Sequence, residues 1–116
     1  MSKEYNYKNY FSISEAMKTH NAIMPGPKFT LLDYNILCLA RSFFEAGKNF
    51  YMSNDQLAQL FFSCEKTVRS SISRLCAAGL IHKELIENNR LKGRYLIYRP
   101  ENVQRFITDM RIAAGG

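Results

Sequence analysis

Between Ser53 and Ile81 the apolar positions fall into two short helical periods with a break between them. Leu57, Leu60 and Phe61 recur at i, i+3 and i+4, which is one face of a helix. Ser53 stands before them as an N-cap, and Gln56 follows three residues on, as in a capping box. The pattern breaks at Ser63-Cys64. A second period opens at once with Val68, Ile72, Leu75 and Cys76, and Gly79 follows where a C′ glycine belongs.

The remaining elements can be read on either side. Ser12 to Ala22 predicts a short helix, with Ser14 as its cap and Ile13, Ala16 and Met17 turned inward. Pro25-Gly26-Pro27 breaks it firmly. Thr30 caps a second helix with Asp33 in the capping-box position. Leu32, Ile36, Leu39, Ala40 and Phe43 mark its core side, with Leu37 and Phe44 beside them, and Gly47 ends it. Lys48 to Met52 is aromatic and β-prone and predicts an edge strand. Leu80 to Glu87 reads as a strand, 88–93 as a turn and Arg94 to Tyr98 as the return strand. Pro100 suits a first helical turn, and Val103, Phe106, Ile107 and Met110 form the stripe of a last helix. Residues 1–11, with Tyr5, Tyr7, Tyr10 and Phe11, form an arm whose plainest role is to pack on the domain. Pairing with a second copy and touching nucleic acid are the other roles open to it. The expected architecture is α+β and mainly helical: 1–29 as arm and short helix, 30–116 as one domain.

The face of the second period that points away from the apolar stripe carries the chemistry. Ser63, Lys66, Thr67, Ser70, Ser73 and Arg74 lie opposite Val68, Ile72, Leu75 and Cys76, with Arg69 at the flank and Glu65 near the core edge. An ordinary solvated face mixes acids with bases. A face of small hydroxyls and cations suits close approach to phosphates and base edges. A merely polar surface on a three-helix core is the plainer alternative.

Charge shifts the balance. The chain carries 16 Lys+Arg and 10 Asp+Glu in 116 residues, a net of +6. Residues 1–63 hold six basic and five acidic residues; residues 64–116 hold ten and five. A surplus gathered on one helix and the hairpin after it suggests a polyanionic partner. Cys38, Cys64 and Cys76 have no C-x-x-C spacing, which argues for a reducing compartment. The polar start M-S-K-E-Y-N-Y-K-N-Y shows no signal peptide, and no apolar run nears the roughly 20 residues of a membrane span. A cytoplasmic location is expected.

The order of elements, with S-N-D-Q-L-A-Q-L, then S-C-E-K-T-V-R-S-S-I-S-R-L, then A-A-G-L-I and G-R-Y-L-I-Y, resembles the winged helix-turn-helix family over about residues 30–98. The resemblance implies a three-helix core, a small β-hairpin wing, extra terminal helices and a surface for double-stranded DNA. A narrower likeness is to the DNA-binding parts of plasmid and phage replication proteins, and to small partition or transfer proteins. In such a fold the segment from Cys64 enters the major groove. Lys66, Thr67, Ser70 and Arg74 would then reach base edges, and Ser63, Arg69 and Ser73 phosphates. Arg90, Lys92 and Arg94 would anchor the flank, where Arg suits the minor-groove potential. Asn89, beside Asn88, tolerates turn geometry and can read base edges.

A module of this size usually needs a second copy, and the Val103–Met110 stripe and the aromatic arm are the candidate dimer surfaces. Sequence-specific control of transcription, replication, partition or transfer is the expected function. A winged-helix module that recruits a protein is the alternative. His20 and His82 lack ligand-like neighbours, and no H-E-x-x-H, G-x-x-x-x-G-K-[ST] or G-x-S-x-G pattern occurs. Neither an enzyme nor a cofactor is expected.

Overall fold

The computed structural model describes residues 12–87 and 92–115. In chain order these form α1 (Ile13–Ile23), α2 (Leu31–Glu45), α3 (Asn54–Leu60), α4 (Glu65–Ala77), β1 (Ile81–Glu87), β2 (Lys92–Tyr98) and α5 (Pro100–Ala113). The strands pair antiparallel, with Ile81 opposite Tyr98 and Glu87 opposite Lys92. The predicted arm, residues 1–11, and the turn at 88–91 lie outside the described residues.

Local chemistry starts the helices. Thr30 accepts from the Asp33 amide while the Asp33 carboxylate accepts from the Thr30 amide, a reciprocal capping box. Ser53 and Gln56 do the same at α3. α1 differs from expectation. Its cap is Ser12, whose hydroxyl accepts from Glu15 at 3.3 Å, and Ser14 lies inside the helix. The loop after α1 is clamped by Asn21, whose side chain bonds both the carbonyl and the amide of Phe29 at 2.8 Å.

The core gathers where α2, α3, α4 and the hairpin meet. Ile36, Leu37, Leu57, Val68, Leu75 and Leu80 are fully buried, and Phe50 and Val103 nearly so. Each such side chain stabilises by about 1.5–3 kcal/mol relative to exposure. On α3 the buried pair is Leu57 and Ala58, with Phe61 half-buried; Leu60, expected inside, is 48% exposed. Phe44 is also largely outside, against the Tyr98 ring.

The expected edge strand at 48–52 is reduced to one bridge, between Phe50 and Leu96. Two neighbours explain it. The Phe50 ring turns into the core and stacks on Phe43 at 4.9 Å, and the Met52 carbonyl is taken by the Arg94 guanidinium. α5 closes the domain against α1. Val103 and Met110 are buried there, and Phe106 meets Phe29 edge-on at 5.7 Å. The stripe expected as a dimer surface is therefore used inside the chain.

Candidate nucleic-acid interface

α4 packs on α2 and α3 through Val68, Ser71, Ile72 and Leu75. Its opposite side carries Lys66, Thr67, Arg69, Ser70 and Ser73, all exposed. Among the described residues neither the Lys66 nor the Arg69 side chain has a hydrogen-bond or ion-pair partner. Glu65, expected near the core edge, is exposed in the first turn on the Arg69 flank. Ser63 is half-buried, and its amide donates to Ala58 at 2.8 Å, closing α3. Cys64 occupies the N-cap of α4, its Sγ 3.1 Å from the Thr67 hydroxyl. That hydroxyl is the main reason the exposed Cys64 thiol sits below its ordinary range. Burial pushes Cys76, on the inner flank, upward.

Two arginines of the expected contact set have partners within the fold. Arg74 forks onto Asp33, Nε to Oδ2 at 2.8 Å and Nη2 to Oδ1 at 2.9 Å. Asp33 is fully buried and also accepts from the Ser71 hydroxyl. The wheel gave Arg74 to the outer face, but α2 overlies the flank where Ser71 and Arg74 emerge. A buried carboxylate requires a partner, and Arg74 supplies it. The hydrogen bond to Asp33 holds the Arg74 pKa above its usual value.

Arg94 is the second. Its guanidinium donates to the Met52 carbonyl and, at 2.6 Å, to Asn54 Oδ1. It is half-buried, and burial lowers its pKa. It straps the turn-proximal half of β2 to the start of α3 rather than projecting from the wing. Of the other expected wing residues, Asn89 and Arg90 lie outside the described residues, and Lys92 is placed by its backbone pairing with Glu87.

The bend itself holds a residue the sequence reading passed over. Phe62 has φ 55° and is 97% exposed. The hydrophobic pattern ended one position earlier, so Phe62 belonged to neither period.

Among the described residues no group of three or more His, Cys, Asp or Glu could hold a metal ion. No helix there is long and apolar enough to cross a membrane. A cavity of about 480 Å³ opens between α1, α2 and α5, and no residue of α4 lines it.

Among the described residues five helices and one antiparallel hairpin, with α3 and α4 joined by a tight bend, define a winged helix-turn-helix fold. The transcriptional regulator BldR from Sulfolobus solfataricus has a similar structure, with a TM-score of 0.52 and 16% sequence identity over 89% of this chain. The present chain spans 66% of that protein's length. No protein-family model and no curated protein matches the sequence.

Proposed function

We propose that this chain binds double-stranded DNA and acts in transcription control. The observation that carries this reading is the exposed α4 face on which the Lys66 and Arg69 side chains, among the described residues, stand unpaired beside Thr67, Ser70 and Ser73. Unpaired cations beside small hydroxyls need no rearrangement to meet phosphates. In this reading α4 lies in the major groove. Lys66, Thr67 and Ser70 read base edges, and Ser63, Arg69 and Ser73 contact phosphates. Asn89, Arg90 and Lys92 meet the flanking duplex. Arg74 and Arg94 leave the contact set and hold the helix and the hairpin at their angles.

Among control roles we favour transcription over replication, partition or transfer, because the similar structure is that of a transcriptional regulator. A pair of copies would supply the surface that one module lacks. With Val103 and Met110 used internally, the contact falls to the exposed Ile112 end of α5 or to residues 1–11.

A gel-shift with a randomised duplex at low salt, followed by selection of the retained fraction, tests the proposal. A shift that weakens steeply with salt and enriches one motif is expected. Absence of any shift at low salt would leave the protein-recruiting alternative.

A further inference from the structure

α2, α3 and α4 end on the same backbone device, and only α3 lacks a glycine in it. At the end of α2, Lys48 donates to Phe43 and Gly47 to Phe44, with Gly47 at φ 70°. At the end of α4, Leu80 donates to Leu75 and Gly79 to Cys76, with Gly79 at φ 77°. At the end of α3, Ser63 donates to Ala58 at 2.8 Å and Phe62 to Gln59 at 3.4 Å. This is the Schellman pattern, in which the left-handed C′ position favours glycine. Here Phe62 occupies it at φ 55°. A bulky side chain is disfavoured in that conformation, and its ring is almost wholly in water. Backbone strain and apolar exposure thus coincide at one residue, a combination that marks functional positions.

Phe62 stands just past the C-cap of α3, two residues before the N-cap of α4 and four before Lys66. We propose that the Phe62 ring is a DNA contact, packing on a thymine C5-methyl group at the edge of the site. This rests on the DNA-binding reading above. Leu60 and Glu65 are also exposed near it in the chain, but the α4 face that begins four residues on, with Lys66, Thr67, Arg69 and Ser70, is cationic and hydroxylic and suits a nucleic acid better than an apolar protein face. Thymine methyl is the apolar group that a major groove offers to phenylalanine. The ring also explains why a glycine is absent from this bend.

The test uses the full chain, a duplex selected from a random library, and versions of that duplex with one thymidine at a time replaced by deoxyuridine. Losing one buried methyl should weaken the wild-type protein about fourfold. Phe62→Gly and Phe62→Asn both tolerate the left-handed backbone and should melt at or above the wild-type temperature. Both should bind the thymidine duplex about tenfold more weakly and respond less to uridine. Their salt slope should match wild type, because no charge is removed. Equal binding by wild type and variants, or an undiminished uridine effect in the variants, overturns the proposal and leaves DNA binding intact. Variants that melt several degrees lower would show that the ring serves the fold, and overturn it too. If the wild-type protein retains no duplex at low salt, the underlying DNA reading falls, and this contact with it.

Discussion

Arg74 and Asp33, 41 positions apart, meet in a two-pronged ion pair with bonds of 2.8 and 2.9 Å. The pair ties the cap of α2 to the last turn of α4. The same carboxylate caps α2 and receives Ser71. One fully buried acid therefore sets how the candidate reading helix lies on its support.

Replacing Asp33 with Ala should be severe. It strands Arg74 and Ser71 and removes half of a capping box. Breaking a buried pair costs about 3–5 kcal/mol, and the partial exposure of Arg74 puts the expected loss near the lower figure. Urea unfolding measures it. Arg74→Lys should recover only part of the wild-type stability, because an ammonium cannot form the fork.

Arg94 should behave as a structural residue as well. Arg94→Ala removes the donors to the Met52 carbonyl and Asn54, at a cost of about 1–3 kcal/mol. Hydrogen exchange should show the 48–52 segment and the start of α3 opening more often. A variant with unchanged stability and exchange would return Arg94 to the set of surface cations.

Lys66→Ala and Arg69→Ala should do the opposite. Neither side chain has a partner within the described residues, so stability should stay within about 0.5 kcal/mol of wild type. Arg69→Ala should weaken binding to all duplexes alike, while Lys66→Ala should relax specificity at one position by about 1–3 kcal/mol. Anisotropy titrations on matched and mismatched duplexes separate the two.

The cysteines give a pH-dependent check on the start of α4. The Thr67 hydroxyl lowers the Cys64 pKa, and burial raises that of Cys76. A lowered value means more thiolate at a given pH below the ordinary range, and the thiolate is the reactive form. Iodoacetamide labelling followed by mass spectrometry should therefore modify Cys64 first and at lower pH. Thr67→Val should move its labelling profile to higher pH.

What was legible in the sequence is what local chemistry decides. Thr30 with Asp33 and Ser53 with Gln56 announce helix starts within four residues, and both capping boxes are present. Gly47 and Gly79 announce helix ends. The polar face of α4 was also legible, because helical periodicity is local. Contacts closed over 40 or so positions were not. Nothing near Arg74 marks it as the partner of Asp33, and nothing near Arg94 marks Met52 and Asn54. The edge strand failed for the same reason, since a distant arginine takes one of its carbonyls. One hint was available for Asp33: an acid one turn before buried Leu37 and three residues before buried Ile36 sits on the core side of its helix and needs a distant cation.

The central claim is that the outer face of α4 meets DNA, and the most direct measurement is the salt dependence of duplex binding. Plotted as log affinity against log salt, wild type should fall with a slope set by its phosphate contacts, close to −0.9 for each. Arg69→Ala should lower the magnitude of that slope by about one. A wild-type chain that binds no duplex at low salt, or a slope unchanged by Arg69→Ala, would contradict the account.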